Sequence, residues 1–238
     1  MATTPAEPLA PLRSDPGGAG ILLDFDGTLS EIVAHPDLAQ PVTGAREAVA
    51  ALVPRFALVA LVSGRPSDEV AARLGVEGVR AVGGYGLGGP GLPDDVRTAV
   101  HDAVKGLEGV WAEDKGTSIA VHFRAAPERA DDVRGALEHA VVGTGTEIIS
   151  GKMVWEAVPH GAPRKGGAVA ELLAGLRAAL YAGDDDADLD AFAALDAWDG
   201  FGVRVAVRGP ETPQALIDAA DLVAEGPEGL VALLRQLV

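Results

Sequence analysis

The sequence predicts an α/β fold: a parallel sheet covered by helices on both faces, with a smaller α+β (αββαββ) module inserted between its halves. Three observations carry this. Short apolar runs that do not alternate, ILLD (Ile21–Asp24), FALVALVSG (Phe56–Gly64) and ALYAGDD (Ala179–Asp185), read as strands buried on both sides. Helix-length stretches separate such runs, which implies right-handed crossovers between parallel strands. From about Gly84 the texture changes to a Gly/Pro-dense segment and then to alternating strands in pairs.

Taken in order, residues 1–19 carry several prolines and neither a basic nor an apolar leader pattern, so they are expected to form a flexible tail. After ILLD and the loop SEIVAHPDLAQPV comes a helix over Thr43–Leu52, with Thr43 as its expected N-cap. FALVALVSG is the second strand. Pro66 near the start and Gly75 past the end punctuate the next helix, and VRAVGG supplies a third strand. GGYGLGGPGLPDD then reads as a linker. A helix over Val96–Leu107 follows, then two strands about an EDKG turn, a helix over Glu128–Val141, and a strand pair about Ser150–Gly151. Past Pro163 the pattern returns to helix (Lys165–Ala174), strand, helix (Ala187–Leu195), strand VRVAV, helix (Thr212–Ala219) and a final amphipathic helix. The expected division is a core of 20–88 and 162–238 around a module of 89–161. The two crossings, GGYGLGGPG and PHGAP, are expected to act as hinges because of their glycines and prolines.

Composition narrows the functional classes. Hydrophobic residues are 48% of 238, enough for a substantial core, and aromatics only 4%, so Ala, Val and Leu must build it. A formal net charge of −16 argues against nucleic acid or an anionic membrane as partner. The absence of cysteine excludes disulfides and thiolate chemistry. No apolar run approaches membrane-spanning length, so a cytoplasmic protein is expected.

Ligands of a parallel sheet bind at the carboxyl ends of its strands. There this chain places Asp24 and Asp26, then Ser63, Gly64 and Arg65, then Gly183, Asp184, Asp185 and Asp188, with Lys165 opening the helix before the last of these strands. Neighbouring acids resist ionising together, and a divalent cation relieves that. Carboxylates are hard ligands suited to Mg²⁺, while hydroxyl, amides and lysine suit a phosphate. Asp24 is placed to attack phosphorus and Asp26 to protonate the leaving oxygen and then activate water. Mg²⁺ and Lys165 would neutralise charge on the transferring oxygens, which Ser63 and Thr28 can bind. Each element alone has a plainer reading: acids end many strands, Ser-Gly is ordinary turn chemistry, and Asp186 in GDDDADLD could simply cap a helix. Their joint order is the signal.

DFDGT, SGR, RKGGA and GDDDADLDAF together resemble the four motifs of the haloacid dehalogenase superfamily of phosphatases, whose core is Rossmann-like; the inserted module resembles its type C2B cap. EDKGTSIAVHFR and SGKMVWEAVP further resemble the trehalose-6-phosphate phosphatases. The resemblance implies Asp24 as nucleophile and Asp26 as acid/base. It implies Mg²⁺ held by Asp24, the Asp26 carbonyl and Asp184, with Asp185 and Asp188 nearby, and phosphate held by Ser63 and Lys165; Thr28, Gly64 and Arg65 are expected as further phosphate contacts. In the cap it assigns Glu113, Lys115, His122, Arg124, Lys152 and Glu156 to sugar recognition.

Strand parity supports a two-faced cap: Lys152, Val154 and Glu156 share one face, Met153, Trp155 and Ala157 the other. Gly88 stands where the family has an acid, Arg164 where it often has Asp, and Ala187 where it has Thr, and these departures bear on the substrate more than on phosphoryl chemistry. Trehalose 6-phosphate is therefore the leading substrate, with sucrose 6-phosphate or a glycosyl 3-phosphoglycerate as rivals. A receiver-type signalling domain would need neither Asp26 nor a cap. A sugar-phosphate-binding protein without turnover is the remaining alternative. The sequence does not set an oligomeric state and leaves a monomer open.

Overall fold

The structure, a computed structural model, describes residues 7–33, 35–86, 91–151, 153–162 and 164–238. It divides into two units, Met1–Gly86 with Pro163–Val238, and Leu87–Ala162. The first unit opens with α1 (Ala10–Ser14), β1 (Ala19–Leu23), α2 (Ala45–Leu52), β2 (Leu58–Val62), α3 (Ser67–Leu74) and β3 (Arg80–Val82). The inserted unit holds α4 (Asp94–Val104), β4 (Trp111–Asp114), β5 (Ile119–His122), α5 (Ala130–Ala140), β6 (Thr146–Gly151) and β7 (Val154–Pro159). The chain then completes the first unit with α6 (Lys165–Leu172), β8 (Ala178–Gly183), α7 (Asp186–Asp196), β9 (Phe201–Arg208), α8 (Gln214–Ala219), β10 (Leu222–Glu225) and α9 (Gly226–Leu234).

The first unit's sheet is parallel throughout, in the order β10-β9-β8-β1-β2-β3. β1 is buried along its whole length because successive side chains enter two different cores. Ile21 and Leu23 join Leu52, Leu180 and Val205 on one face, and Leu22 joins Val169, Tyr181 and Phe192 on the other. That is the physical reason ILLD shows no alternation. The chain runs from β1 outward to β3 on one side and from β8 outward to β10 on the other. The strand order therefore reverses between β1 and β8, and a crevice opens at their carboxyl ends.

The inserted unit is an antiparallel sheet in the order β4-β5-β7-β6. Ile119, Val121 and Ala157 face α4 and α5, packing on Val96, Val100, Val133 and Leu137. Pairing sets Ala120 opposite Glu156 and His122 opposite Val154, so these four residues share the other face. Among the described residues no helix is long and apolar enough to cross a membrane.

Several expectations need correction. The N-terminal segment is not a loose tail from Leu9 onward: Leu9 and Leu12, one helical turn apart across α1, are fully buried in the main core. Pro11 is tolerated because it lies in the first turn of that helix. Thr43 does not cap α2; Gly44, with φ 83, is the N-cap. Asp185, not Asp186, caps α7. β10 went unread because it is four residues long with alternate positions exposed, a faint edge-strand signal. The second cap hairpin closes between the paired residues Gly151 and Val154, with Met153 at φ 57, slightly later than Ser150–Gly151. Both expected hinge segments include positions outside the described residues, 87–90 and 163.

Candidate active site

The crevice between β1 and β8 gathers the acids. Asp24 follows β1 directly, its amide donating to the Ala182 carbonyl at 2.9 Å, so the strand pairing itself fixes the residue at the rim. Asp184 follows β8 in the same way, and Asp188 lies one turn inside α7. Carboxylate oxygens of Asp24, Asp184 and Asp188 lie within 4.8 Å of one another, and all three residues are buried. Lys165, the first residue of α6, is buried beside them, its Nζ 2.6 Å from Asp188 Oδ1, 3.3 Å from Asp24 Oδ1 and 4.0 Å from Asp185 Oδ1.

The lysine is shared unequally, and the acids respond. Burial raises the Asp24 carboxyl well above its ordinary value, against the more distant pull of Lys165. Burial pushes Asp185 up to about 7, with Asp188 adding to the effect. For Asp188 burial acts upward too, but the close Lys165 and the hydrogen bonds it accepts outweigh that and hold it low. Burial would lower Lys165, yet Asp188 and Asp24 keep it charged and above its usual range.

The donor set fits a hard divalent cation. Among the described residues, three buried carboxylates lie against one buried ammonium, an excess of negative charge that oxygen-loving Mg²⁺ would balance. Gly27 sharpens the fit: at φ 79 it lets the chain turn past Asp184, whose carboxylate fills the space a Cβ would need. Thr28 Oγ1 donates to Asp184 Oδ1 at 3.3 Å. Asp24 and Asp184 are the carboxylates suited to the ion. Asp188 is part of the cluster, but Oδ1 accepts from Lys165 and Tyr181 and Oδ2 from the amides of Asp184 and Asp185. Asp185, as the N-cap of α7, accepts from the Ala187 amide at 3.0 Å.

Ser63 is buried at the end of β2, its hydroxyl accepting the Arg65 amide at 3.2 Å with Gly64 between them. Arg65 does not point its guanidinium into open space. It donates to both oxygens of Asp26 at 2.7 Å, to Glu69 at 2.6 Å and to the Pro36 carbonyl at 2.9 Å. Two acids and a carbonyl absorb its fork, so the guanidinium holds Asp26, the residue expected to act as acid/base.

The inserted unit brings its own polar residues together on the sheet face away from α4 and α5. His122 Nε2 lies 2.8 Å from Glu113 Oε2, and the Trp111 ring stacks on the imidazole with centroids 4.1 Å apart. Glu156, buried, accepts from Ser118 Oγ at 2.5 Å and from Lys115 Nζ at 3.4 Å. Arg124 lies just past β5 and is half-buried. Lys152 and Gly88 lie outside the described residues. Sequence reasoning missed Tyr181, Ser118, Trp111 and Glu69. Tyr181 was read as one more apolar residue of a strand, although a lone tyrosine leading into GDDD was a visible signal.

The fold is that of haloacid dehalogenase-like proteins. The haloacid dehalogenase-like hydrolase from Bacteroides thetaiotaomicron superposes with a TM-score of 0.68 at 16% identity, covering 92% of this chain and 99% of that one. The chain belongs to the trehalose-phosphatase family, whose model matches residues 22–88 and 92–219. It is 34% identical over 212 residues to the trehalose-phosphate phosphatase of Mycolicibacterium paratuberculosis, covering 79% of this chain and 54% of that protein. The chain thus spans about half the length of the curated relatives it matches. The C-terminal domain of the C. albicans trehalose-6-phosphate phosphatase superposes with a TM-score of 0.79 at 19% identity, covering 99% of this chain and 97% of that one.

Proposed function

We propose that this chain is a Mg²⁺-dependent phosphatase that hydrolyses trehalose 6-phosphate to trehalose and phosphate through an aspartyl-phosphate on Asp24. The observation that carries the reading is the buried Asp24 carboxylate at the switch point of the sheet, 3.3 Å from Lys165 and clustered with Asp184. An Asp24 oxygen attacks phosphorus as the bond to the sugar oxygen breaks, and Asp26 gives that oxygen its proton. Asp26 then takes a proton from the water that attacks the aspartyl-phosphate, and phosphate leaves with Asp24 restored. Lys165 and the Ser63 hydroxyl bind the phosphoryl oxygens. Mg²⁺, held by Asp24, the Asp26 carbonyl and Asp184, supplies neutralising charge when bound.

Family membership and the polar cap face support trehalose 6-phosphate as the substrate. Glu113, His122, Lys115 and Glu156 form two adjacent acid–base pairs on one sheet face, a surface rich in the donors and acceptors that sugar hydroxyls require. The test is phosphate release with Mg²⁺ from trehalose 6-phosphate, sucrose 6-phosphate, glucosyl 3-phosphoglycerate and glucose 6-phosphate, with Asp24→Asn as blank. Preference for trehalose 6-phosphate is expected. Preference for another member would move the substrate and keep the chemistry, and silence on all of them from a folded protein would overturn the enzymatic reading.

A further inference from the structure

We propose that Tyr181 is a positioning residue for Lys165, acting through Asp188, and so sets how strongly the site holds a phosphoryl group; this rests on the reading of Lys165 as a phosphate ligand. Tyr181 sits in the middle of β8, fully buried, its ring edge-on to Phe192 with centroids 6.2 Å apart. A phenylalanine would fill the same apolar layer, so the hydroxyl needs its own explanation. It donates to Asp188 Oδ1 at 2.6 Å, the same oxygen that receives Lys165 Nζ at 2.6 Å. The other oxygen, Oδ2, accepts the amides of Asp184 at 2.7 Å and Asp185 at 2.9 Å.

A carboxylate offers about four lone-pair positions, and here four donors fill them. Two consequences follow for the site. Asp188 is withheld from any cation its neighbours bind, although it stands among them. Lys165, lying between Asp188 and Asp24, meets an Asp188 oxygen whose charge is already partly satisfied by the phenol. Removing that phenol would strengthen the pull of Asp188 on the ammonium, away from Asp24 and from the oxygens of a bound phosphate. Burial makes the effect large, since a donor lost from a carboxylate shielded from solvent is costly to replace.

The experiment compares Tyr181→Phe with Phe192→Leu in the full chain. Phe192→Leu loosens the same packing without touching the hydroxyl. Inorganic phosphate binding in Mg²⁺ buffer is measured by calorimetry and as competitive inhibition, beside melting curves with and without Mg²⁺. Tyr181→Phe is expected to weaken phosphate binding about tenfold, the worth of one hydrogen bond to a charged group, with its Mg²⁺-induced melting shift unchanged. Phe192→Leu is expected to melt lower and bind phosphate like the wild type. Wild-type phosphate affinity in Tyr181→Phe would overturn the proposal, whatever its melting temperature. A measurement on the wild type guards against a variant that does not fold. The chain has two tyrosines, so labelling their Cζ carbons gives two resonances, and phosphate must shift that of Tyr181. A resonance that stays still overturns the proposal. A wild type that binds no phosphate at all removes the phosphatase reading along with this one; a phosphate-binding wild type with an unaffected Tyr181→Phe removes this one alone.

Discussion

Arg65 holds Asp26 with a two-pronged grip, Nε donating to Oδ2 and Nη2 to Oδ1, both at 2.7 Å. The grip is itself anchored. Nη1 donates to Glu69 at 2.6 Å, and Glu69 also takes Arg73 at 2.9 Å, so an acid after β1 is tied to the first two turns of α3. In the proposed reaction Asp26 first gives and then takes a proton, which needs a fixed direction, and a planar guanidinium supplies it. Burial opposes the arginine's charge, but Asp26 and Glu69 outweigh it, so Arg65 stays protonated at any working pH.

Arg65→Lys is therefore not a conservative change, because an ammonium cannot reproduce a planar fork. Its kcat is expected to fall about tenfold or more with KM nearly unchanged, since the loss is in aiming a proton and not in binding. Steady-state kinetics on the preferred sugar phosphate decides this. A kcat equal to wild type would mean that Asp26 does not depend on Arg65.

Asp24→Asn separates chemistry from stability. The buried Asp24 carboxylate stands among Asp184, Asp185 and Asp188, and its burial is the largest influence on it. An isosteric amide removes both the proposed nucleophile and a crowded charge while Asp188 still pairs Lys165. Turnover is expected to vanish, and melting in chelator to stay level or rise by about 2 °C. A large drop in melting temperature would instead give Asp24 a structural task.

How much of this was legible beforehand depended on local redundancy. β1, β2 and β8 were readable because two cores claim alternate side chains of each strand, which leaves an unbroken apolar run. α3 was readable because Pro66 and Gly75 mark both ends, the latter at φ 64. α1 was hidden: the prolines in and around it suggested disorder, and its burial rests on Leu9 and Leu12 alone, whose partners are far away in sequence. The rim acids were visible as motifs. Their division of labour was not, because it depends on distances. Lys165 is 2.6 Å from Asp188 and 3.3 Å from Asp24, and no spacing in the chain encodes that difference. The hold of Arg65 on Asp26 and Glu69 was hidden for the same reason; only the fold brings those acids to its guanidinium.

A pH-dependent contribution is expected at Asp221, far from the rim chemistry. Burial would raise its carboxyl, but hydrogen bonds from the Arg204 side chain and amide prevail and hold it below the usual carboxylate range. A carboxylate depressed in the fold stabilises it fully above its unfolded value, about 3.9, and loses that contribution as pH falls through the lower folded value. Asp221→Asn should cost up to about 1 kcal/mol near neutrality, discounted because the side chain keeps 32% of its exposure. The gap to wild type should close as urea denaturation is repeated toward about pH 3. A gap that stays constant with pH would assign the cost to packing.

Gly27→Ala probes the proposed metal-binding half of the site without touching a carboxylate. At φ 79 alanine suffers backbone strain of about 1 kcal/mol, and its Cβ would overlap the Asp184 side chain. Asp184 cannot retreat easily, because its amide donates to Asp188 Oδ2 and Thr28 bonds its own carboxylate. Gly175→Ala provides the control: φ is 81 there, yet a Cβ would meet nothing within 4 Å, so it carries the strain without the overlap. Both variants should melt slightly lower in chelator. Added Mg²⁺ should raise the melting temperature of the wild type and of Gly175→Ala in a saturable way, because a ligand of the folded state stabilises it by mass action. Gly27→Ala should lose most of that rise. Equal Mg²⁺ shifts in all three proteins would mean that the ion does not need Asp184 where the fold has put it.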